Sequence, residues 1–389
     1  MPRPPRRELD TRRLAAVGVV GSALDVRAHG PHRRVSMHRV NLADLGYGPF
    51  FADQIVESPD DRWPGRVVRM DGIRAHVWGA TGQVAVDVPG KLRSARDGGA
   101  VVGDWVLVRT GPNPVMDRVL RRRTQLTRAS AGLRAREQVI AANVDLVFLV
   151  MGLDGDFSPA RLERYLATVA DSGAEAVVLL TKAGQCGDVP TKLDRLAPVL
   201  GATPCHAIDV VDDIEADRPQ MYASAGTTVA VLGSSGAGKS TLVNHLMGSD
   251  EMATASVRAH DCRGRHTTTH RQLLRTPSGA VLIDNPGMRE LSLWIENAGL
   301  EQAFDDLAEL AAACRFVDCS HLHEPGCAVR AAVERGEISR ERVDRYVKLQ
   351  QEVAVTSQRR SVHERRRAER LQGRMYRQAI AARRRGGAG

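Results

Sequence analysis

The 389-residue sequence predicts a multidomain chain: a small β-barrel, then a parallel α/β domain, then a short α-helical module built round a metal. Three observations predict it. Between Gly65 and Arg128 the chain passes through short β-like runs. From Ala141 onward, continuous apolar runs alternate with stretches of helical spacing. Farther on, Cys314, Cys319 and Cys327 crowd together. A chain of this length exceeds one ordinary core of roughly 100 to 200 residues. The 43% apolar share supports globular folding, and the N-terminal apolar patch is interrupted by Asp25. With no run of about 18 uncharged apolar residues to cross a bilayer, the sequence reads as cytoplasmic, with no membrane partner.

Residues 1–62 form an N-terminal extension without an assigned function, in which "NLADLGYGPFFADQI" has the character of a short helix. Residues 63–128 hold the runs "RVVRM", "IRAHVWG", "QVAVDV", "DWVLVRT" and "DRVLRR", parted by the turn formers "DG", "GATG" and "TGPNP". Short strands at that density suit an OB-type barrel. Its basic flank of Arg121, Arg122, Arg123 and Arg128 would suit RNA, although a plain charged edge would read the same way.

The α/β domain is expected over residues 129–297. "VDLVFLVMGL" and "AEAVVLLTK" are continuous apolar runs of strand length, and between them "SPARLERYLATVADSG" has helical spacing with Ser158 placed to cap it. "GTTVAVLG" leads into a glycine-rich loop, and "GAVLIDNPG" follows. Buried strands alternating with helices imply a parallel sheet.

The glycine-rich loop carries the chemistry. "GSSGAGKST", from Gly233 through Ser234, Ser235, Gly236, Ala237, Gly238, Lys239 and Ser240 to Thr241, satisfies G-x-x-x-x-G-K-[ST]. It follows a strand and opens a helix, as that motif requires. The glycines let backbone N–H groups wrap a phosphate, and the helix N-terminus adds its positive end. Lys239 would neutralise phosphate charge, and the Ser240 hydroxyl would ligate Mg²⁺. "LIDNPG" would deliver Asp284 to the same Mg²⁺ sphere and Gly287 to the terminal phosphate. The residue after that glycine is Met288, which cannot orient water. Within "RGRHTTTHRQL", Thr268 could close on Mg²⁺ and phosphate while His266 places the water; a solvated polar loop has the same composition.

The run "EAVVLLTKAGQCGD" ends in Thr181, Lys182, Ala183 and Gly184, one residue short of a guanine-reading loop that should end in Asp, and it lies upstream of the phosphate loop. Taken in order, these motifs are a cyclic shift of the usual GTPase arrangement. With "GKLR", "VVGDWV", "AANVDLVFLV", "RLERYL", "GRHTTTH", "DNPGMRE" and the C-x4-C-x-H-x5-C spacing, the chain from about residue 64 to 350 resembles the ribosome small subunit-dependent GTPase A family.

That resemblance implies an OB-fold domain, a circularly permuted P-loop GTPase domain and a zinc-binding domain over 298–350. It implies GTP/GDP and Mg²⁺ at the loop, with Thr181 and Lys182 on the base side and His266 in the hydrolytic position. One structural Zn²⁺ would be held by Cys314, Cys319, His321 and Cys327; His323 rivals His321 by spacing, and the family pattern favours His321. The implied partners are the 30S subunit and its 16S rRNA, engaged by a monomer in late 30S maturation. Two alternatives of other classes are a non-hydrolysing, nucleotide-gated assembly factor and an ATP-dependent P-loop enzyme.

Gly184 departs from the family's Asp, and "PCHAI" departs from its Ser-Ala. Losing charged hydrogen bonds to guanine costs about 1.5 to 3 kcal/mol each, so the sequence predicts GTP binding with reduced selectivity over ATP, unless Asp188 substitutes. Residues 351–389 are an Arg-rich helix or tail. Arg359 to Arg385 contains eleven arginines against Glu364 and Glu369, a net +9 that equals the formal charge of the whole chain. Such a block is compatible with a polyanionic partner.

Overall fold

The computed structural model describes residues 40–55, 61–93, 99–129, 137–248, 272–284, 297–317 and 319–354. All of them belong to the compact unit His38–Gly389, and the separate unit Met1–Met37 lies outside the described residues.

Strands β1 (Arg62–Asp71), β2 (Arg74–Gly79), β3 (Gly82–Asp87), β4 (Trp105–Arg109) and β5 (Val115–Val119) close into a barrel in the order β1-β2-β3-β5-β4. Alternation along these strands turns Val67, Ala75, Val77, Val86, Val106, Val108 and Met116 into one apolar interior. A bulge between Val67 and Arg69 bends β1, which pairs with β2 on one side and β4 on the other. The barrel expected from the five β-like runs is therefore present.

Ahead of it, a 3₁₀ turn (Leu42–Leu45) and the short helix α1 (Pro49–Ala52) occupy the stretch that read as helical. They bury Leu45 and Phe51 beside Trp105. Arg66 is 1% exposed, and its guanidinium donates to the carbonyls of Leu45, Gly103 (3.3 Å) and Asn143 (3.0 Å). Burial pulls its pKa down to about 10. A charge buried this deeply is tolerated because its N–H donors are satisfied.

A hairpin of β6 (Gln125–Ala129) and β7 (Glu137–Ala142) leads into the α/β domain. There β8 (Leu146–Gly152), α2 (Pro159–Ser172), β9 (Glu175–Thr181), α3 (Val189–Leu200), β10 (Cys205–Ala207), β11 (Thr228–Gly233), α4 (Lys239–Met247), β12 (Gln272–Arg275) and β13 (Val281–Asp284) follow in order. The sheet order is β10-β9-β8-β11-β13-β12, parallel except for β12, which runs antiparallel to β13 at the edge. Val147, Leu149, Val178 and Leu180 face one core, while Phe148, Val150, Val177 and Leu179 face the other. Burial on both faces is why these strands read as unbroken apolar runs. Ser158 caps α2 as expected, accepting from Arg161 N at 3.4 Å. The parallel strands all end at one edge, where open α/β sheets bind ligands.

Beyond the sheet come α5 (Asn297–Ala303), α6 (Asp305–Ala312), α7 (Ala328–Glu334) and α8 (340–354). The helical stretch from Asn297 to Ala312 is two helices, broken at Phe304, whose fully buried ring has its centre 5.3 Å from that of Tyr346. Gly299 N donates to Asp171 at 2.5 Å, fastening α5 to the end of α2.

Candidate functional site

The phosphate loop leaves β11 at Gly233 and enters α4 at Lys239. Gly236 and Gly238 adopt φ of +80° and +88°, which an L side chain disfavours. Around the loop the structure supplies a frame. The buried Thr181 hydroxyl, at the end of β9, donates to Ala237 O at 2.7 Å. Ser234 Oγ donates to Asp156, whose other oxygen accepts from Gly152 N at 3.1 Å. Lys239 Nζ donates to Ser234 O within the loop. Ser240 and Thr241 lie in the first turn of α4, and Asp284 ends β13 beside β11.

Lys182 follows Thr181 in the left-handed region, φ 62°, and its ammonium meets Asp154 Oδ2 at 2.6 Å. That hydrogen bond holds the Asp154 carboxyl below its usual range. Asp154 Oδ1 also accepts from Asp156 N at 2.9 Å, so the short loop after β8 braces the base-side loop and the phosphate loop together. Gly184 N donates to the buried Asp209 carboxylate at 3.2 Å, tying the loop after β9 to the segment after β10. Asp188, the substitute carboxylate the sequence offered, is engaged elsewhere. It caps α3, accepting from Thr191 N at 3.1 Å, and that role fixes its side chain on the helix end.

The residues expected to ligate a metal come together as well. The ligand atoms of Cys314, Cys319, His321 and Cys327 all lie within 4.8 Å of one another. His321 Nδ1 is 3.7 Å from Cys314 Sγ and 3.6 Å from Cys327 Sγ, and those two sulfurs are 3.9 Å apart. Ligand bonds of about 2.0 to 2.3 Å set tetrahedral edges of roughly 3.5 to 3.8 Å, so three thiolates and an imidazole at this spacing fit Zn²⁺. His321 is buried in the left-handed region at φ 63°, whereas His323 is exposed.

Comparisons with known proteins agree with this geometry. A sequence profile described as RsgA GTPase matches residues 119–294. Over 256 residues the chain is 50% identical to the small ribosomal subunit biogenesis GTPase RsgA of Xanthomonas axonopodis pv. citri (strain 306), covering 66% of this chain and 70% of that relative. The chain belongs to the RsgA GTPase family.

The RsgA protein of Xanthomonas campestris pv. campestris (strain B100) is 51% identical over 259 residues, covering 66% of this chain and 70% of that relative. Among solved structures, YjeQ from Thermotoga maritima superposes with a TM-score of 0.57 at 27% identity, over 75% of this chain and 99% of its own. YloQ, a circularly permuted GTPase, shares the fold with a TM-score of 0.53 at 21% identity, over 77% and 98%. An ABC transporter profile also matches residues 217–384. It overlaps the RsgA match across β11 and α4, the strand–loop–helix unit that P-loop proteins have in common. Among the described residues no helix is long and apolar enough to cross a membrane.

Of the site residues expected for an RsgA-family chain, Gly233 to Thr241, Thr181, Lys182, Cys314, Cys319, His321 and Cys327 are described and grouped as above. His266, Thr268, Gly287 and Met288 lie outside the described residues, and Asp284 is placed by its backbone. Sequence reasoning missed Asp154, Asp156 and Asp209. The first two stand in "GLDGDFSP", directly after an apolar strand at the ligand-binding edge, a position that would have signalled them.

Proposed function

We propose that the chain is a ribosome-associated GTPase that acts in late maturation of the 30S subunit, hydrolysing GTP to GDP and phosphate and accelerated by the subunit it binds. The observation that carries this reading is the junction of Thr181 with Ala237, which docks the base-side loop on the phosphate loop although the first precedes the second in the chain. Permuted order and conserved spatial order together are what a nucleotide site of this family needs.

In the proposed mechanism, backbone N–H groups from Gly233 to Lys239 cradle the β-phosphate at the α4 N-terminus. Lys239 leaves Ser234 O for the phosphate oxygens, and Lys182 packs along the base with its ammonium on Asp154. Bound Mg²⁺, held by Ser240, Thr268 and Asp284, would neutralise charge developing on the phosphates. His266 orients the attacking water, a task Met288 cannot perform. A zinc ion on Cys314, Cys319, His321 and Cys327 would close the loop between α6 and α7, a purely structural role because no coordination position stays open. The partner surface is 16S rRNA, reached by the Arg-rich tail and the basic flank of the barrel. The protein acts in the cytoplasm as a monomer.

Turnover of GTP and ATP, measured with and without purified 30S subunits, tests the reading. GTP turnover is expected to be slow alone, to rise with the subunit and to vanish in Lys239→Ala. Subunit binding without turnover would make the chain a nucleotide-gated assembly factor, and subunit-independent ATP turnover would make it an unrelated P-loop enzyme.

A further inference from the structure

The glycine at position 184 looks like the loss of the carboxylate that would read guanine. Its surroundings say otherwise. Gly184 sits in a short 3₁₀ turn, Ala183–Gln185, and is not among the residues with positive φ, so its backbone does not demand glycine. What excludes a side chain is a neighbour. A Cβ added at Gly184 would meet the carboxylate of Asp212, with Cγ at 3.0 Å, Cβ at 3.3 Å and Oδ2 closer still. The Asp212 carboxylate thus fills the space into which an aspartate at 184 would project its own.

From this geometry we infer that Asp212, delivered from the loop after β10, reads the guanine base in place of the missing residue at 184. The inference rests on the GTPase reading above and narrows its substrate. Asp212 is held there by a built turn. Asp209 and Ile214 exchange backbone hydrogen bonds of 2.7 and 2.8 Å, closing a hairpin whose tip includes Asp213 in the left-handed region, φ 55°. The buried Asp209 carboxylate accepts from Val211 N at 3.0 Å and Asp212 N at 3.3 Å on one oxygen, and from Gly184 N at 3.2 Å on the other. One buried side chain therefore sets the distance between Gly184 and the acid that faces it. Ala183 N donating to Ile208 O at 3.2 Å, and Ile208 N to Leu180 O at 2.8 Å, fix the same two segments through their backbones. The Asp212 side chain itself is exposed at the ligand-binding edge.

The chemistry follows from the base. Guanine offers its N1–H and exocyclic 2-amine side by side, and one carboxylate accepts both. Adenine presents an acceptor at N1 and no 2-amine, so the same carboxylate repels it. The reduced selectivity expected from Gly184 alone is replaced by selectivity for guanine restored from elsewhere in the chain.

Equilibrium titrations of the full chain with GDP, XDP and ADP test this. The wild type is expected to prefer GDP to ADP. Asp212→Asn should bind GDP about tenfold or more weakly and XDP more tightly than the wild type does, because the Asn amide can donate to xanthine's 2-oxo group; ADP affinity should not fall. The exchange Gly184→Asp with Asp212→Gly should recover the GDP preference, since the vacated space accepts the new side chain. Unchanged GDP affinity in Asp212→Asn, or failure of the exchange to recover it, overturns the inference. Equal binding of GDP and ADP by the wild type overturns it while leaving the phosphate cradle standing. No binding of either nucleotide overturns the parent reading with it.

Discussion

His321 and His323 have the same side chain, two residues apart, and their surroundings separate them. His321 is buried with Nδ1 turned to the sulfurs of Cys314 and Cys327, while His323 is exposed and it is its backbone N–H that donates to Glu324 Oε2, at 3.1 Å. The left-handed φ of 63° at His321 is uncommon outside glycine, and such backbone persists where the surroundings over-determine it. Metal analysis of purified protein is expected to find one zinc per chain, lost in His321→Ala and kept in His323→Ala. Full zinc content in His321→Ala would assign the fourth ligand elsewhere. At this scale the sequence named the three cysteines by spacing and left His321 and His323 as rivals that only the family pattern separated, because burial is a property of the fold. Nor does the sequence reveal what stands against Gly184, for the same reason: Asp212 lies 28 positions away, in a segment with no motif of its own.

Between elements, the contact that joins the sheet to the C-terminal helices is charged. Glu163 on α2 has a fully buried side chain, and it accepts from Arg342 Nη1 at 2.8 Å and from Arg345 Nε and Nη2 at 2.5 and 3.1 Å, both on α8. Arg342 also reaches Asp306 on α6 with bonds of 2.9 and 2.8 Å, and its guanidinium lies 4.7 Å from the centre of the Phe304 ring. Burial alone would lower the Arg342 pKa; Asp306 and Glu163 outweigh it, so the shift is upward and the group stays charged. Removing one partner of such a buried network costs about 3 to 5 kcal/mol. Arg342→Met is expected at the lower end, about 3 kcal/mol, because Arg345 still pairs with Glu163. A denaturant midpoint unchanged from the wild type would mean that this network braces nothing. None of it was legible in the sequence, where Glu163 and Arg342 look like ordinary polar positions on two helices. The barrel, the parallel strands and α2 were legible because each repeats a period over several residues. The edge strand β12, the β6–β7 hairpin and the break at Phe304 are too short to set a period, and tertiary packing decides them.

Across the whole molecule, the braces line up. The loop carrying Asp154 and Asp156 touches Lys182 and the phosphate loop and runs into α2; α2 holds α8 through Glu163; and in sequence the arginines of residues 359–385 follow α8. The phosphate loop and α8 are thus joined by a connected set of braces, a route by which the proposed nucleotide occupancy would be felt at the C-terminal helices. The charge at the far end makes its own contribution measurable. Eleven arginines against two glutamates give that segment the formal excess of the entire chain. Each arginine that neutralises a phosphate releases counterions, so binding weakens as salt rises, by about 0.7 to 0.9 in log–log slope per contact. Deleting residues 359–389 is therefore expected to lower affinity for the 30S subunit sharply at low salt and hardly at all at high salt. If the tail makes about five phosphate contacts, the slope should flatten by about four on deletion. Titrating full-length and truncated chains against the subunit at several salt concentrations reads both quantities at once. Parallel lines, with equal affinity at every salt, would leave the tail as a solvated appendage and move the RNA contact to the barrel flank.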